Sequence, residues 1–125
     1  SVESGIGWIP FMLEAMDYQF QGNRVAEERP ELDRLPSEYF ARNVYGCYWF
    51  EQVAPRKLFD AVGIDNILFE TDFPHPTSLY GDEVKSRIAS GLAECSDEVR
   101  RKILWSNAQK LYRLEPPSAA DLARA

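Results

Sequence analysis

Residues 66–76 read Asn-Ile-Leu-Phe-Glu-Thr-Asp-Phe-Pro-His-Pro, and their pattern sets the fold class. Ile67, Leu68 and Phe69 are continuously apolar and follow the turn-forming pair Asp65-Asn66. A short apolar run without alternation, bounded by a turn, predicts a strand covered on both faces, as in a parallel sheet. The run passes into Glu70-Thr71-Asp72, so a carboxylate falls where strand gives way to loop. In parallel α/β folds that end of the strand is where ligands bind. A carboxylate there can hold a divalent metal or take a proton from metal-bound water. An Asp in such a place can equally cap a helix or close a turn.

Upstream, residues 44–50 (VYGCYWF) are rich in β-branched and aromatic side chains and predict a second strand covered on both faces. Residues 1–4 (SVES) read as the tail of a third strand, broken by Gly5 and Gly7. Helices fill the intervals. Pro10 suits a first helical turn, and Ile9, Met12, Leu13, Met16 and Phe20 share one face of a helix ending near Gly22. Residues 23–38 are mostly charged or polar and contain Pro30 and Pro36, which predicts a solvated excursion. Ser37 is a candidate cap for a short helix through Glu38, Tyr39 and Phe40. Pro55 opens a helix carrying Leu58, Phe59 and Val62, and Gly63 ends it. A helix over about 82–94 turns Val84, Ile88 and Leu92 inward, and Ser96 caps the last one. That last helix buries Val99, Ile103, Leu104, Ala108, Leu111 and Tyr112. Pro116-Pro117 stops it, so residues 1–115 form the domain and 116–125 a polar, Ala-rich tail.

Strands alternating with helices define the α/β class, built from parallel βαβ units with right-handed crossovers. Two architectures fit this order: a small open sheet, or the C-terminal part of a (β/α)8 barrel. A complete barrel takes about 250 residues, so a chain of 125 would supply about half of one.

Composition excludes several functions. Lys plus Arg number 14 against 20 Asp plus Glu, a net charge of −6, which argues against nucleic acid and anionic membrane as partners. One histidine, His75, cannot build a His-rich zinc site or an HExxH protease centre. No apolar run approaches the ~18 residues of a membrane span. Cys47 and Cys95 lie far apart in apolar contexts and read as free buried thiols, which, with no signal peptide, favours a cytoplasmic location.

The candidate site residues centre on Asp72. His75, between Pro74 and Pro76, is a candidate for substrate contact or proton transfer, or for bonding its own loop backbone. Trp8, Trp49 and Phe73 could line a pocket for a flat substrate or belong to the core. Glu51 follows a strand and points either into the site or into solvent. Arg24, Arg29 and Arg34 read as surface charges.

NILFETDFPHP resembles the last-strand motif of the amidohydrolase-related family, in the branch that includes aminocarboxymuconate semialdehyde decarboxylase. Arg101-Lys102-Ile103-Leu104 with Asn107-Ala108 and Leu111-Tyr112 resembles the family's closing segment, and residues 1–10 (SVESGIGWIP) its upstream strand-and-glycine segment. The resemblance implies the C-terminal portion of a metal-dependent (β/α)8 barrel. It implies Asp72 as metal ligand and proton-shuttle carboxylate. Glu3 stands where the family carries a metal-binding His, and so becomes the second candidate ligand. His75, Trp8 and Phe73 become candidate substrate contacts. The family's His-x-His pair, on its first strand, is absent from this sequence. The implied function is metal-dependent hydrolysis of a small organic substrate with a divalent cation, zinc first. Two alternatives are non-oxidative decarboxylation and a non-catalytic domain that pairs with another chain. Implied partners are a small-molecule substrate and either further copies in a homo-oligomer or the N-terminal half of the barrel.

Overall fold

The computed structural model describes residues 1–118, so the expected tail over 116–125 falls from residue 119 onward outside the described residues. Two strands, β1 (Gly46–Tyr48) and β2 (Ile67–Phe69), lie side by side and run parallel. Gly46 is opposite Ile67, Cys47 opposite Leu68, and Tyr48 opposite Phe69. β1 is shorter than the apolar run over 44–50 suggests, whereas β2 covers the expected Ile67–Phe69. The segment expected to be a third strand is a stub along the outer edge of β1. There the Cys47 N–H donates to the Ser1 carbonyl at 3.1 Å, and the Ser1 amino group donates to the Tyr45 carbonyl at 2.6 Å.

Side chains alternate across the sheet. Tyr48, Ile67 and Phe69 face the helices, where Ile6, Ile9, Phe40, Phe59, Val62, Leu92 and Ile103 complete the core. The Tyr48 ring meets Phe59 and Phe69 edge-on, each at 5.5 Å between centroids. Gly46 begins β1 because a side chain would not fit: a Cβ there would lie 2.7 Å from Cδ1 of Ile9. Helix α1 (Ile9–Gly22) therefore packs directly onto the strand backbone.

The solvated excursion contains a short helix, α2 (Val25–Glu28), and then α3 (Pro36–Asn43). Arg24 pairs with Glu27 and Arg29 with Glu31, both at 2.6 Å on the surface, where such pairs contribute about 0–1 kcal/mol. Ser37 is not the cap of α3. Pro36 already occupies the first turn, and the Glu38 carboxylate turns back to accept the Leu35 N–H at 2.8 Å. The Ser37 N–H instead donates to Oδ1 of Asp17 at 2.9 Å, tying α3 to α1.

After β1 come α4 (Ala54–Lys57) and α5 (Phe59–Val62), and Gly63, with φ of 95°, turns the chain into the 3₁₀ turn Ile64–Asn66 ahead of β2. Helix α6 (Asp82–Gly91) is shorter than the expected 82–94. The Ser96 hydroxyl caps α7 (Asp97–Arg101), accepting the Val99 N–H at 3.3 Å. The last helix is not continuous: a wide π-type turn, Lys102–Ser106, separates α7 from α8 (Asn107–Tyr112). The added residue in that turn rotates the faces of α8 relative to α7. Ile103 stays buried as expected, whereas Leu111 and Tyr112 emerge into solvent and Asn107 enters the interior.

Two buried asparagines lock the amino-terminal end of the sheet. Nδ2 of Asn66 donates to the carbonyls of Ala41 and Val44 at 2.9 and 2.8 Å. Nδ2 of Asn107 donates to those of Ile64 and Ile67, both at 2.8 Å. Among the described residues no helix is long and apolar enough to cross a membrane.

Candidate active site

The carboxyl end of the sheet is where the chain turns irregular. Asp72 lies three residues past β2 with φ of 60°, and Glu3 lies past the Ser1 stub with φ of 56°. Left-handed backbone costs a non-glycine residue on the order of 1–3 kcal/mol, so it persists only where its surroundings hold it. Asp tolerates this region better than Glu, because its short side chain bonds locally. For Asp72 the surroundings are its own loop. The His75 N–H donates to the Asp72 carbonyl at 3.0 Å, the Ser78 N–H to the His75 carbonyl at 3.0 Å, and the Leu79 N–H to the Thr71 carbonyl at 2.8 Å. This folded loop places the imidazole back over the carboxylate.

Nδ1 of His75 lies 2.7 Å from Oδ1 of Asp72, and the Thr77 hydroxyl reaches Oδ2 at 3.4 Å. The Asp72 side chain is 6% exposed and that of His75 56%. Hydrogen bonding to Asp72, reinforced by the negative charges of Asp72 and Glu3, raises the His75 pKa above the usual imidazole value. Glu3, Asp72 and His75 each offer one donor atom, and those atoms all lie within 4.8 Å of one another. Two carboxylate oxygens and one imidazole nitrogen suit a divalent cation of borderline hardness. The residues present thus fit the metal that the sequence resemblance implies.

A hollow of about 500 Å³ opens beside this group, lined by Val2, Glu3, Phe69, Glu70, Thr71, Asp72 and Phe73. Phe73 is 70% exposed at its edge. The structure therefore brings Glu3, Asp72, Phe73 and His75 to one place. Trp8 is elsewhere. Its indole N–H donates to the Gly5 carbonyl at 3.0 Å, and its ring borders an apolar groove with Met12, Met16 and Phe40 between α1 and α3. Trp49 is buried against Phe50.

Glu51 points neither into the hollow nor into solvent. Its carboxylate accepts the N–H groups of Ile6, at 3.0 and 3.1 Å, and Gly7, at 2.8 Å, which have no helical partner this early in the chain. It presses so close to Gly5, where φ is 65°, that a Cβ there would lie 2.9 Å from the carboxylate. Glu70 is the site residue not singled out from the sequence. Its Oε1 accepts the Glu3 N–H at 2.8 Å, while burial raises its pKa. The signal was its place straight after the apolar run, at the end of the sheet where the hollow that it lines with Asp72 opens.

Parallel strands joined by helices, with two carboxylates and an imidazole converging at the strands' carboxyl end, define an α/β protein with a candidate site at the sheet's end. The family model for Amidohydrolase matches residues 3–114, and the chain belongs to that family. Among curated proteins no match is found.

Proposed function

We propose that this chain carries part of the active site of a metal-dependent hydrolase acting on a small organic substrate. The observation that supports this reading most is the convergence of Glu3, Asp72 and His75, with donor atoms within 4.8 Å of one another beside an open hollow. Glu3, Asp72 and His75 would hold a divalent cation, zinc first. When bound, that cation supplies Lewis acidity and lowers the pKa of a coordinated water.

The rest of the chemistry belongs to the chain. The Asp72 carboxylate, 6% exposed and backed by its own loop, is placed to take a proton from the nucleophile and return it to the leaving group. His75 holds Oδ1 of Asp72 through Nδ1 and so fixes the carboxylate at the edge of the hollow. Phe73 offers an apolar wall to the substrate at the hollow's edge. In the same reading β1, β2 and the Ser1 stub are neighbouring strands of a (β/α)8 barrel. Cys47 and Leu68 then face its interior, and further copies or the barrel's N-terminal half cover that side.

The test is turnover by the protein that carries this chain, loaded with a divalent cation, on small amides, lactones and carboxylated ring compounds. Asp72→Asn keeps the size of the side chain and removes its charge. It should lower hydrolysis by about 10²–10⁴-fold, as loss of a general acid–base group does. Unchanged turnover contradicts the reading, and carbon dioxide release in place of hydrolysis replaces it with decarboxylation.

A further inference from the structure

Glu70, at the exit of β2, reaches across to the segment that carries Glu3. Its Oε1 accepts the Glu3 backbone N–H at 2.8 Å, a contact between residues 67 positions apart in sequence. The negative charge of the same carboxylate helps to raise the pKa of the buried Cys47 thiol of β1. One side chain on the β2 exit thus ties down the N-terminal stub at the level of the cluster. Glu3 needs such a hold. Its φ of 56° lies in a region that a Glu does not prefer, and no bond within its own turn fixes its N–H. The Glu3–Glu70 bond fixes the residue whose side chain must reach Asp72 and His75. Glu70 is absent from the trio whose donor atoms converge, so its part is distinct from ligation.

We propose that Glu70 is a positioning residue, which sets Glu3 beside Asp72 and His75 by accepting the Glu3 N–H. The proposal rests on the metal-site reading above and deepens it. It makes the acceptor oxygen of Glu70, rather than its charge, the property that matters. Gln keeps an acceptor oxygen at the same reach. Met keeps a side chain of similar length but loses the oxygen.

The experiment titrates the full chain with cobalt(II), read by calorimetry and by the visible absorption of the bound ion. Far-UV circular dichroism confirms the fold of each variant. Glu70→Met should weaken binding by roughly 10–100-fold, the range seen when groups that orient ligands are lost. Glu70→Gln should keep most of the affinity, and Asp72→Asn should lose it. Hydrogen exchange at the Glu3 amide should be slow in the unmodified chain and in Glu70→Gln, and fast in Glu70→Met. If Glu70→Met binds as the unmodified chain does while Asp72→Asn does not, the role of Glu70 is overturned and the metal site stands. If Glu70→Gln falls as far as Glu70→Met, the charge matters and the positioning role is overturned. If Asp72→Asn changes nothing, the metal-site reading fails and the role of Glu70 falls with it. Should Glu70→Met not fold, the exchange rate in the unmodified chain decides: an unprotected Glu3 amide overturns the proposal.

Discussion

Nδ1 of His75 rests 2.7 Å from Oδ1 of Asp72, held there by a loop in which the His75 N–H also donates to the Asp72 carbonyl. The imidazole and the backbone of one residue thus grip the carboxylate and the backbone of the other. Asp72 sits at φ of 60° within this grip, and its carboxylate lines the hollow.

This contact predicts a pH dependence. His75 is the one histidine in the sequence, so its ring resonances in NMR report it alone. In chelator-treated protein the midpoint should lie above the ordinary value of about 6.5, because Asp72 bonds and attracts the protonated ring. A raised pKa in the folded state stabilises the fold in full below the unfolded value of about 6.5, and that contribution is lost as pH rises through the folded midpoint. Asp72→Asn should return the midpoint toward the ordinary value. A midpoint at or below about 6.5 in the unmodified chain contradicts the contact.

Asn107→Ala tests the amino-terminal lock of the sheet. The amide gives two bonds of 2.8 Å, to the carbonyls of Ile64 and Ile67, from a buried position. Alanine leaves those acceptors without that donor, at a cost of about 1–3 kcal/mol. Urea denaturation measures it, and a loss under about 0.5 kcal/mol would place Asn107 with ordinary surface residues.

Thiol chemistry tests the sheet. Burial, with the negative Glu70 beside it, pushes the Cys47 thiol up to about 11. Cys95 is half-buried, and its thiol is raised chiefly by burial too. In native protein at neutral pH a thiol reagent should label Cys95 first, and Cys47 only after denaturant is added, since the thiolate is the reactive form. The raised Cys47 value stabilises the fold in full below the unfolded thiol value of about 8.5 and is lost as pH climbs toward 11. Equal labelling rates for the two thiols would contradict the burial of Cys47.

The parallel pairing of β1 and β2 was legible because burial on both faces leaves an apolar run without alternation, and a helix must join such strands. Asp72 was legible for a related reason: a carboxylate straight after such a run falls at the sheet's carboxyl end. The π-type turn at Lys102–Ser106 was not legible, because an apolar spacing of three and four persists through it and nothing in residue type marks the added residue. The roles of Glu51 and Glu70 were hidden for another reason. Each accepts backbone N–H groups from a segment more than forty positions away in sequence, and no local pattern encodes a partner at that distance. Trp8 shows the reverse. It is near Glu3 in sequence, yet the turn through Gly5 sends its ring to the groove between α1 and α3.

Whether Glu3, Asp72 and His75 together hold a divalent cation is decided by zinc calorimetry on the chain and on Asp72→Asn. The chain should bind one zinc ion, and weakly, because three donors fall short of the four in a closed zinc site. Asp72→Asn should abolish that binding while leaving the denaturation midpoint nearly unchanged. Zinc binding that Asp72→Asn leaves intact, or tight binding of a kind three donors do not supply, would contradict a site built from these three residues.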